Sequence, residues 1–84
     1  MTYTRAIIPT DNVAFGNMNG FFVTETTTGT LTCTLWNADE NDSTVRTVVI
    51  PAGVAPSHGL IPLAVKKIDA SVAGDLTDVV VIGV

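Results

Sequence analysis

Residues 30–36 alternate without a break, with Leu31, Cys33 and Leu35 on one side and Thr30, Thr32, Thr34 and Trp36 on the other. A period of two puts one set on each face of an extended strand, and the apolar set needs a cover. No window carries the spacing of an amphipathic helix. Thr, Val and Ile dominate, Gly and Pro recur, and straight-chain helix formers are sparse. An all-β fold with no substantial helix follows.

Further strands are expected over 5–8, 20–26, 45–50, 60–68 and 78–84. Pro9, Thr10, Asp11 and Asn12 end the first, since Pro fixes φ and Asp and Asn bond to nearby amides. Thr28 and Gly29 turn the second into the third, and Pro51, Ala52 and Gly53 stop the fourth. In the fifth, Leu63 and Val65 share a face but Ile68 falls opposite, unless Lys66 and Lys67 form a bulge. A bulge is expected there. The last strand is apolar on both faces, so both are expected to be covered.

Eighty-four residues suffice for one domain. The expected architecture is a small antiparallel β-sandwich, jelly-roll or immunoglobulin-like. Hydrophobic residues make up 46% of the chain and charged residues 14%, against about 25% charge in ordinary soluble domains. A domain this small closes over little apolar surface, so part of the excess is expected to be covered by copies of the chain. The candidate subunit interface is Val79, Val80, Val81, Ile82 and Val84 with Phe22.

Several function classes fall away on composition. The net charge is −4, and the basic side chains Arg5, Arg46, Lys66 and Lys67 make no stripe for a phosphate backbone, so no nucleic-acid partner is expected. The aliphatic run at 79–82 is far below the roughly 20 residues of a membrane helix, and no membrane partner is expected. Nothing after Met1 reads as a secretion signal, and Cys33 has no second cysteine to pair with. Cys33 alternates with two leucines and reads as a small buried hydrophobe.

Polar candidates for chemistry are few. Residues 37–43 form an acidic hairpin loop, and Asp39, Glu40, Asn41 and Asp42, with Trp36 beside them, are the candidate exposed partner loop. Asn37, Asp39 and Asn41 superficially suit calcium, but Asp42 and Val48 stand where an EF-hand needs Gly and Glu. His58 follows Ser57, yet nothing supplies the orienting acid or oxyanion donors of a triad, so it reads as a turn residue. Asn41, Asp42 and Ser43 match the glycosylation triplet, which without a secretion signal is read as chance. Trp36 either anchors a ligand or partner or closes the core at a strand end. No enzyme, metal or cofactor is expected.

With the strands laid out, the order of motifs resembles a known family. Pro9-Thr10-Asp11 is followed by Gly20-Phe21-Phe22-Val23, Gly29-Thr30-Leu31-Thr32 and Val49-Ile50-Pro51-Ala52-Gly53. Leu60-Ile61-Pro62-Leu63-Ala64-Val65-Lys66-Lys67-Ile68 and Leu76-Thr77-Asp78-Val79-Val80 complete the series. It resembles the small spike-base or head-vertex proteins of tailed bacteriophages and gene transfer agents, over nearly the whole chain. Two departures are a longer, more acidic loop at 37–44 and Ala64 where a basic residue is common.

The resemblance implies a virion structural protein, assembled in the bacterial host cytoplasm. It would form a symmetric ring on the capsid surface, as spike or fibre base or as capsid decoration. Its implied partners are itself, as trimer or pentamer, the major capsid protein and, where one is carried, a fibre protein. The competing expectation from another class is a monomeric β-sandwich module that binds a sugar or peptide on Trp36 and Phe22.

Overall fold

A computed structural model describes residues 2–24, 28–36, 44–53, 59–72 and 74–84. Six strands form in chain order: β1 (Arg5–Ile7), β2 (Gly20–Val23), β3 (Leu31–Leu35), β4 (Arg46–Ile50), β5 (Val65–Ala70) and β6 (Val79–Gly83). A single 3-10 turn, Asp75–Asp78, leads into β6. The strands make two three-stranded antiparallel sheets, ordered β1-β6-β2 and β4-β3-β5. This is the β-sandwich expected from the alternation.

The core lies between the sheets. Phe21, Val23, Val79 and Val81 fill it from one side, Leu31, Cys33, Val65 and Ile68 from the other, and Met18 and Leu76 join from the connections. Leu31 and Cys33 are fully buried, which is the apolar face of the alternating segment doing what its period requires. Gly83 and Gly20 are also closely overlaid. A Cβ on Gly20 would stand 2.7 Å from the carbonyl oxygen of Ile61.

The fifth strand differs from expectation at its start. Residues 60–64 do not join β5. Ile61 instead forms an isolated bridge with Phe21 of β2, exchanging backbone hydrogen bonds of 2.9 and 3.1 Å. Pro62, which has no N–H to give a ladder, separates that bridge from β5. The expected bulge is present: Thr34 pairs with Lys67 and Leu35 with Val65, so Lys66 is the extra residue. Val65 and Ile68 can therefore both face the core.

Two connections carry the chain between the sheets, from β2 to β3 and from β5 to β6, and they are tied to each other. Thr24 donates its backbone N–H to the carbonyl of Asp78 at 2.8 Å. Ser71 donates its N–H to the carbonyl of Thr30 at 3.0 Å, and its hydroxyl oxygen accepts the N–H of Thr30 at 2.8 Å. The buried carboxylate of Asp75 accepts the N–H of Gly29 at 3.1 Å and both the N–H and the hydroxyl of Thr28 at 3.3 Å. A buried carboxylate is tolerable because these donors replace its water.

Candidate functional site

Strand pairing decides which apolar side chains remain on the outside. Opposite residues of an antiparallel pair share a face, and Phe21 and Val81, like Val23 and Val79, are opposed in the core. The alternate residues Phe22 and Val80, and Gly20, Ile82 and Ala6, then share the outer face of the β1-β6-β2 sheet. Carried one residue further, the alternation adds Ile8 and Val84. Every strand residue of that outer face is apolar or glycine.

The face is open. Phe22 is 38% exposed, Val84 53% and Ile8 65%, while Val80 and Ile82 are half-buried by their flanking strands. The opposite side of the sandwich differs in kind. The outer face of β4-β3-β5 carries Thr32, Thr34, Thr47, Lys67 and Asp69, with Val49 among them. The strands of one outer face thus carry Thr, Lys and Asp side chains, with Val49 exposed among them and Thr34 buried, whereas those of the other carry none.

Of the six candidate interface residues, the structure places Phe22, Val80, Ile82 and Val84 on or beside this open face. Val79 and Val81 lie fully buried inside the subunit's own core. Ala6 and Ile8 were missed in the sequence because only their pairing with the distant β6 brings them to the patch. The one local signal was the short apolar stretch Ala6-Ile7-Ile8 itself.

Trp36 stands just past β3, half-buried and tied at both ends. Its indole Nε1–H donates to the carbonyl of Met18 at 2.7 Å, and its backbone N–H donates to Ala64 at 2.9 Å. Phe22 and Trp36 project from different sheets. Asp39, Glu40, Asn41 and Asp42, with the calcium and glycosylation readings of that loop, lie outside the described residues, as does His58.

Cys33 is fully buried, and desolvation pushes its thiol pKa up to about 12. A thiol held protonated at neutral pH is a poor nucleophile and a poor metal ligand. Among the described residues no group of three or more His, Cys, Asp or Glu side chains is placed to hold a metal ion. Also among them, no helix is long and apolar enough to cross a membrane. No protein-family model, curated protein or solved structure matches the chain.

Proposed function

We propose that this chain is a non-enzymatic structural subunit that assembles with copies of itself through the outer face of the β1-β6-β2 sheet. The observation that carries this reading is the contrast between the two outer faces. Burying the patch around Phe22, Val80 and Ile82 would return about 25 cal/mol for each Å² removed from water. A face whose strands carry no charged side chain also matches the depletion of charge at interface cores.

The proposed setting is a phage capsid, as a spike base or decoration, with the major capsid protein and a fibre protein as further partners. Support comes from the series of motifs running from Pro9-Thr10-Asp11 to Leu76-Thr77-Asp78-Val79-Val80. One of its least ordinary parts has structural work in the fold: Lys66, of the Lys66-Lys67 pair, is the extra residue of the bulge.

Light scattering coupled to size exclusion, across a dilution series, tests the reading. A mass that holds on dilution, at three or five subunits or a multiple of them, is the expected result, with Ile82→Lys dismantling the ring at unchanged circular dichroism. A wild-type monomer of 8.8 kDa at every concentration would overturn it.

A further inference from the structure

The four outer edges of the two sheets are not alike. On β5 the outward groups are taken: Ala70 N–H by Asp11 Oδ1, and the carbonyls of Ile68, Lys66 and Val65 by the N–H groups of Asn12, Phe15 and Met18. The edge of β2 is bridged by Ile61. β1 is three residues long and offers little to pair with.

β4 is different. Ser71 N–H bonds to the carbonyl of Thr30 and Trp36 N–H to that of Ala64, so alternate residues 30, 32, 34 and 36 of the β3 stretch turn their backbone groups toward β5. Leu31, Cys33 and Leu35 then bond to β4, through Ile50, Val48 and Arg46. The backbone N–H and C=O of Thr47 and Val49 therefore point away from the sheet. Among the described residues nothing pairs with them, and both residues are exposed. The side chains of Val48 and Ile50 face the core side yet are only half-buried, whereas Cys33 and Leu31 opposite them are fully buried. Among the described residues, no strand continues the sheet along this margin.

We infer that β4 pairs antiparallel with β4 of a second copy, extending the β4-β3-β5 sheet across the subunit boundary. The strand is complementary to itself. With Val48 opposite Val48 of the copy on a two-fold axis, Thr47 and Val49 of each chain exchange main-chain hydrogen bonds with Val49 and Thr47 of the other. Arg46 then faces Ile50 of the copy, which keeps the two guanidinium groups apart, and the half-buried valines cover each other. The choice of occupant rests on the self-association proposed above, but the contact is a second one, made by an edge and not by the apolar face.

The test uses the full chain. Val49→Pro deletes an N–H that no described residue of the subunit accepts, and Val49→Lys leaves the backbone intact while adding a charge beside the pairing edge. Both are expected to lower the mass of the assembled protein at least twofold without altering its circular dichroism. In a Cys33→Ala background, Val48→Cys is expected to give a disulfide-linked dimer on oxidation, because central residues of such a pair sit with Cα atoms ~4.5 Å apart. Thr47→Cys in that background, ~8 Å from its counterpart by strand spacing, is expected to cross-link at least fivefold less.

Unchanged mass in both Val49 variants, with no cross-link at position 48, overturns the β4 contact and leaves assembly through the apolar face standing. A cross-link at position 48 in a protein whose mass Ile82→Lys leaves unchanged does the reverse. A monomer at every concentration with no cross-link overturns both and gives the edge to a strand of another protein.

Discussion

The carboxylate of Asp75 accepts the backbone N–H of Gly29 at 3.1 Å, joining the connection that enters β3 to the one that enters β6. With Thr28 bonded to the other carboxylate oxygen, one buried side chain satisfies donors from a turn 46 and 47 positions away in the chain. A Cβ at position 29 would stand 2.6 Å from a methyl of Val72, so only glycine lets the turn approach this closely.

Asp75→Ala removes that acceptor and leaves the amides of Thr28 and Gly29 without it. A loss of about 2–4 kcal/mol is expected, since a buried donor deprived of its partner costs about 1–3 kcal/mol. Urea unfolding followed by circular dichroism measures it. Asp75→Asn, which retains one acceptor oxygen, is expected to fall between the variant and the wild type.

Deleting Lys66 should be far worse than mutating it. Without the extra residue, Val65 and Ile68 cannot both face the core, and a one-residue slip turns a strand inside out. The deletion is expected to abolish cooperative unfolding. Lys66→Ala keeps the bulge and is expected to change stability by less than about 1 kcal/mol. A deletion variant with a normal melting curve would mean that the register is set elsewhere.

Cys33 gives a pH dependence with a definite sign. Its thiol titrates at about 12 in the fold against 9.0 ordinarily. Below pH 9.0 both folded and unfolded chains keep the proton, and the full stability is present. Between 9.0 and about 12 the unfolded chain loses it first, so stability falls as pH rises. The difference between wild type and Cys33→Ala, measured by urea unfolding from pH 8 upward, is expected to shrink or reverse across this window. A thiol reagent at pH 8 is expected to label Cys33 only when the chain unfolds.

Trp36 is the single tryptophan and holds Met18 through its indole N–H. Its fluorescence therefore reports directly on the join between β3 and the segment that seals β5. Trp36→Phe keeps most of the apolar contact but leaves the Met18 carbonyl without this donor, and a loss of about 0.5–1.5 kcal/mol is expected. An equally stable Trp36→Ala variant would show that the side chain merely lies on the surface.

How much of this was legible depends on range. The alternation at 30–36 reads correctly because a strand's period is a local property, and the bulge reads because Leu63, Val65 and Ile68 cannot share a face without one. The placement of β6 between β1 and β2 has no local signature, since any apolar strand could occupy that slot. For the same reason the open face was visible only in half: Val80 and Ile82 announce an apolar outer row, whereas Ala6 and Ile8 join it solely through pairing. The destination of the Trp36 N–H was equally out of reach, because Met18 meets it by tertiary approach. Residues 60–64 went astray because a Pro-containing apolar run resembles a strand start, and only tertiary pairing shows Ile61 serving the other sheet.

The position of β6 also imposes an order in time. On the ribosome, β1 and β2 emerge early and have no strand to pair with until β6 follows them out. The β4-β3-β5 sheet, whose strands are consecutive, can form while its counterpart is still two unmatched ribbons. Throughout that interval Phe21 and Phe22 are unprotected, and sheets closed by distant strands are slow to complete. The apolar patch and its half of the core therefore come into being together, when β6 arrives. A subunit able to associate exists only once β6 is in place.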